Sequence, residues 1–182
     1  MIWLLRVVAV AVTTLTALPA AQSGKHVTSG RDQLDAPPAD SVATLAKSLV
    51  GSWACRGGTP DGRTMAATIS FTLVLDAHWL QFEHRDVPPG RFLATAMWPA
   101  TTITEPMSTT LYDNSGGNRR LTGAWDPDSI VWVKDVTEPG VRRERFTFRR
   151  VDTDTFWYAW HIQRAATGPP VLGDSLTCRR TP

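Results

Sequence analysis

Residues 64–85 read TMAATISFTLVLDAHWLQFEHR, and two alternating runs on either side of one short turn decide how the chain folds. In the first run Ile69, Phe71, Leu73 and Leu75 share one face while Thr68, Ser70 and Thr72 share the other. That period of two marks a strand with one dry and one wet side. Asp76-Ala77 makes a hairpin turn. The second run then places Leu80 and Phe82 on a face with His78 and His84, and Glu83 points away from both histidines.

The same pattern continues in both directions. Clusters of Gly, Pro, Asp and Asn at residues 57–62, 86–90, 113–117, 126–128, 138–140 and 167–170 punctuate the chain. Between them the pattern predicts ten strands: Ser52–Arg56, Thr64–Leu75, His78–Arg85, Arg91–Trp98, Ser108–Tyr112, Arg119–Trp125, Ser129–Val136, Val141–Val151, Thr155–Arg164 and Val171–Arg180. Sequential hairpins without long crossovers point to an all-β, up-and-down antiparallel β-barrel, which removes its exposed edges by closing on itself. A two-sheet sandwich is the rival arrangement. Ahead of the strands, Ser41 stands as an N-cap, and Val42, Leu45, Leu49 and Val50 recur at helical spacing. They predict a short N-terminal helix that covers one barrel end.

Residues 1–23 have the make-up of a signal peptide. Arg6 follows the start, an apolar run from Val7 extends to Leu18, and Ala21-Gln22-Ser23 offers a small-x-small cleavage site. The run is shorter than the roughly 18–20 residues that span a bilayer, so no integral membrane span is expected after cleavage. Residues 24–40, with Pro37-Pro38 and little apolar periodicity, look like a flexible leader, and 41–182 form the barrel domain. The expected location is secreted or periplasmic. In that oxidising setting Cys55 and Cys178, the only cysteines, are expected to pair. Trp53 and Cys55 share a strand face, as do Cys178 and Arg180, and the first and last strands are neighbours in a closed barrel.

The net charge of +2 is scattered in both signs along the strands, which excludes the one-sided basic footprint of a nucleic-acid binder. No HExxH, Cys/His knuckle or EF-hand loop occurs, so no metal is expected; no GxSxG and no phosphate loop occurs, so no enzyme is expected either. Eight tryptophans, of which Trp3 lies in the leading segment, supply an aromatic interior. The candidate cavity residues are Phe82, His84, Trp98, Tyr112, Trp125, Trp132, Tyr158, Trp160 and His161. The stripe Arg142, Arg143, Glu144, Arg145, Arg149 and Arg150 is expected to be a solvated face, unless one arginine turns inward to receive a ligand carboxylate.

A short helix followed by Gly51-Ser52-Trp53, with Leu176-Thr177-Cys178-Arg179-Arg180 closing the last strand, resembles the lipocalins and their calycin relatives. The resemblance implies that Trp53 closes the barrel floor beneath Arg180 or Arg179. The stretches Val74 to Glu83, Thr110 to Asp113 and Trp125-Asp126 resemble uncharacterised lipocalin-like domains of secreted bacterial proteins, over Leu45 to Arg180. That similarity implies a barrel with an internal cavity and carries over no common activity. The Gly51-Ser52-Trp53 opening, the strand count and the aromatic interior lead to the expectation of a barrel that binds or carries a small hydrophobic or amphipathic molecule, with no cofactor. More distantly the chain resembles nitrobindin-type barrels, which would imply haem held by His161 or, in this chain, His84. A solid barrel acting through its outer surface, as an envelope or interaction module, is the third reading.

Overall fold

The computed structural model describes residues 43–101, 106–134, 143–164 and 168–182. The proposed signal peptide and leader, with Ser41 and Val42, therefore lie outside the described residues. A helix α1 (Thr44–Leu49) precedes ten strands: β1 (Gly51–Gly58), β2 (Thr64–Val74), β3 (Trp79–Asp86), β4 (Leu93–Pro99), β5 (Met107–Asp113), β6 (Asn118–Trp125), β7 (Ser129–Lys134), β8 (Arg143–Arg150), β9 (Thr155–Gln163) and β10 (Val171–Arg180). They form one closed antiparallel barrel in which each strand pairs with its chain neighbours and β1 pairs with β10. Closure excludes the sandwich. Each described strand end falls within two residues of its expected position.

Alternation sets which side chains enter the barrel. Ala67, Ile69 and Phe71 of β2 are buried while Thr68 and Thr72 are exposed, and Ala94, Ala96 and Trp98 of β4 repeat the pattern. Leu75 departs from the expectation that it continues the dry face. It begins a turn in which Leu75, Asp76 and Ala77 all take positive φ, at 50°, 54° and 64°, and its side chain is exposed. The strand therefore ends at Val74.

One half of the barrel is packed solid. Phe71 contacts Phe82, Trp98, Phe148 and Phe156 at centroid separations of 5.4 to 6.2 Å, and Trp53 meets Phe156 edge-on at 4.9 Å. Burial of each such ring contributes about 1.5–3 kcal/mol and each favourable pair about 0.5–1.5 more. Helix α1 covers this end, burying Leu45, Ala46 and Leu49. Its start is tied down by the N–H of the preceding Ala43 donating to Ala100 O at 2.8 Å, and its end by the Trp53 indole donating to Leu49 O at 2.8 Å. The N-cap is Ala43, which makes no side-chain bond.

The seam between first and last strands is closed twice. Cys55 faces Cys178 in register and the two form a disulfide, while one step along the same faces Trp53 stands opposite Arg180. Arg180, rather than Arg179, lies over the Trp53 ring at 4.2 Å. Its guanidinium also donates to Val50 O at 2.6 Å and Ser48 O at 2.7 Å, and pairs with Asp154 at 3.1 Å. Among the described residues no helix is long and apolar enough to cross a membrane.

Candidate functional site

The half of the barrel away from α1 is not filled. A cavity of about 320 Å³ lies between the end of β3 and the starts of β4, β6, β8 and β10. Of the nine candidates, Phe82, His84, Trp98, Trp132, Tyr158 and Trp160 line it. The other three do not. Tyr112 is 57% exposed, because on β5 the buried positions are Met107, Thr109 and Leu111 and Tyr112 has the opposite parity. Trp125 belongs to the packed region, its indole donating to Pro99 O at 2.9 Å. His161 sits opposite Leu172 and Arg145, on the parity opposite to Tyr158 and Trp160, and is absent from the lining.

The structure adds four charged residues that were not anticipated: Asp86, Arg119, Glu144 and Asp174. Each has the inward parity of its own strand. Asp86 follows Phe82 and His84, Arg119 precedes Leu121, Glu144 precedes Phe146 and Phe148, and Asp174 precedes Leu176 and Cys178. The signal was present in the alternation; charge at a strand end suggested solvent instead. Glu144 is thus buried, not part of a solvated stripe. No described arginine of β8 lines the cavity: Arg149 lies over Trp157 at 5.4 Å, Arg150 pairs with Asp128, and the guanidinium on the lining comes from Arg119 of β6.

Most of these charges are partnered. Arg119 pairs with Asp113 at 2.5 Å and with Glu144 at 3.3 Å, and Glu144 also receives the Trp160 indole N–H at 3.1 Å and faces Lys134 at 3.7 Å. Hydrogen bonds from the Ser115 hydroxyl and backbone, with Arg119 beside it, hold the Asp113 carboxyl below its ordinary range. Asp86 accepts the Phe92 N–H at 3.1 Å on one oxygen and meets His84 Nε2 at 3.0 Å on the other. Burial lowers the His84 pKa and outweighs the opposing hydrogen bond and charge of Asp86, so this buried ring is neutral at neutral pH. Burial also raises the Tyr158 phenol well above its usual value.

Three lining atoms lack partners among the described residues: Trp98 Nε1, Trp132 Nε1 and Asp174 Oδ1. Asp174 is held in place by a bulge. The β9·β10 register shifts between Leu172 and Asp174, so Gly173 is the extra residue and Asp174 comes to face Trp160. A Cβ on Gly173 would stand 2.6 Å from the Trp160 ring, so glycine is what lets the bulge lie against that indole. Burial first, and then the charge of Asp86, push the Asp174 pKa up to about 6.

The chain matches no protein-family model and no curated protein. Among solved structures it is similar to the Rv2717c protein of M. tuberculosis, at 19% identity and a TM-score of 0.55, covering 78% of this chain and 99% of that one. It also resembles the S-type phycobiliprotein lyase CPES of Guillardia theta at 13% identity and a TM-score of 0.47, over 75% of this chain and 90% of that one. At such identity the likeness to Rv2717c shows the fold alone, here a closed ten-stranded antiparallel barrel.

Proposed function

We propose that the protein is an exported, lipocalin-like barrel that binds a small amphipathic molecule in this cavity, as a carrier or receptor and not as an enzyme. One observation carries the reading: one half of the barrel is packed solid, while the other leaves a space of about 320 Å³ walled by aromatic rings and holding unpartnered polar atoms. Ligand sites have this character, mostly apolar with a few placed polar groups, and the volume suits a small molecule. The signal-peptide pattern supports export.

The lining favours a ligand other than haem. His161 lies off it, and His84, which faces the cavity, has its Nε2 engaged by Asp86, leaving Nδ1 as its one nitrogen for an iron. The lining also sets three carboxylates against one guanidinium, an unfavourable field for a ligand with two propionates.

The test is fluorescence titration with N-phenyl-1-naphthylamine, a neutral apolar probe. Saturable enhancement is expected, and it should be lost when Ala94 on the lining is filled by Ala94→Phe. Absence of binding to the folded native protein would overturn the proposal. A Soret band that shifts on haem addition, and no longer does so in His84→Ala, would replace it with the haem reading.

A further inference from the structure

We infer that the ligand is a small organic cation, an amine with an apolar or aromatic body, whose ammonium group pairs with Asp174. The inference rests on the cavity being a binding site and names the chemistry of what it binds.

Asp174 is 9% exposed and its Oδ1 has no hydrogen-bond partner among the described residues. An ionised carboxylate in such a place is costly unless something pairs with it. The neighbouring charges do not. Asp86 is satisfied by His84 and Phe92, Glu144 by Arg119, Lys134 and Trp160, and the Arg119 guanidinium is already shared between Asp113 and Glu144. The lining therefore carries three carboxylates against one committed cation and a neutral His84. A cationic ligand supplies the missing charge, and an anionic one would add to the excess.

The walls suit the same ligand. Trp132, Phe148, Tyr158 and Trp160 stand around the space, and aromatic faces attract an ammonium group more strongly where water is displaced. The unpartnered N–H groups of Trp98 and Trp132 are donors, able to serve an acceptor atom elsewhere on the ligand. The Gly173 bulge brings Asp174 opposite Trp160, on the side of the strand that lines the cavity.

The experiment compares three probes of similar size: 2-phenylethylammonium, 2-phenylethanol and 3-phenylpropanoate, titrated calorimetrically at pH 7.5. The ammonium is expected to bind at least about ten-fold more tightly than the alcohol, with the carboxylate weakest. Asp174→Asn should reduce the ammonium to the affinity of the alcohol, and cooperative melting shows that the variant is folded. Lowering the pH from 7.5 to 5 should weaken the ammonium and not the alcohol. The charged and titratable groups around Asp174 are Asp86, His84, Glu144, Arg119 and Tyr158, and protonation of His84 acts in the same direction, so the share that Asp174→Asn removes is the one assigned to Asp174. Equal affinities, a preference for the carboxylate, or a preference that survives Asp174→Asn would overturn the inference while the binding function stands. Failure of all three probes and of N-phenyl-1-naphthylamine would overturn both.

Discussion

The Arg180 guanidinium lies 4.2 Å from the centre of the Trp53 ring, and the two residues face each other across the ladder that closes the barrel. Arg180 also gathers the carbonyls of Ser48 and Val50 at the end of α1, so one side chain joins helix, first strand and last strand. Trp53→Ala is expected to lower stability by about 3–5 kcal/mol through the void it leaves. Arg180→Ala should cost about 2–3 kcal/mol, since it removes the cation from the ring and strands two carbonyls. A double-mutant cycle by urea denaturation should show coupling; additive losses would separate the two roles.

Gly51 completes that arrangement. Its φ of 125° is one that side chains rarely adopt, and a Cβ there would stand 2.8 Å from Arg180 Nη1. Gly51→Ala is expected to destabilise by about 1–3 kcal/mol, from backbone strain and displacement of the guanidinium. The check is whether Gly51→Ala and Arg180→Ala together cost less than their sum. Full additivity would mean that the glycine matters for its backbone alone.

The disulfide joins residues 123 apart in sequence. In the chain-entropy model, opening so long a loop costs about 4–5 kcal/mol, so the Cys55→Ala, Cys178→Ala double variant should unfold at clearly lower urea. Mass spectrometry without reductant should find no alkylatable thiol in the native protein. Two free thiols would remove the covalent part of the seam.

Asp174 is expected to act against the fold at neutral pH. Its folded pKa, about 6, lies above the ordinary 3.8, so the native state holds this proton more tightly than the unfolded chain does. The associated stability is complete below about pH 4 and lost as the pH rises through 6. Asp174→Asn should therefore raise stability by about 2 kcal/mol at pH 7.5, with a gain that shrinks toward pH 4. Paired melts of the native and Asn proteins at the two pH values check this, and a gain that grows on acidification would contradict it.

How much could be seen beforehand differed between the frame and the site. Alternation and turn residues placed the strands because one buried face dictates period two along each of them, and the Cys55 and Cys178 parities agreed with closure. Leu75 misled because turn geometry overrode its hydrophobicity. Tyr112 misled because aromatic character was weighed above parity. Asp86, Arg119, Glu144 and Asp174 were passed over for the opposite reason: their charge suggested water, although each kept the parity of an inward position. The pairing of Glu144 with Arg119 depends on two strands far apart in sequence, and the bulge that aims Asp174 depends on a register shift, neither of which local pattern reveals.

Around the ring every strand pairs with its successor, and a single ladder, β1·β10, joins segments from opposite ends of the domain. Nine hairpins can therefore zip up from short-range contacts, while the last seam must wait for a long loop to close. Cys55 and Cys178 face each other on that seam, so the bond between them acts as a latch on the last ladder: once oxidised, it keeps the cylinder from reopening where its two ends meet.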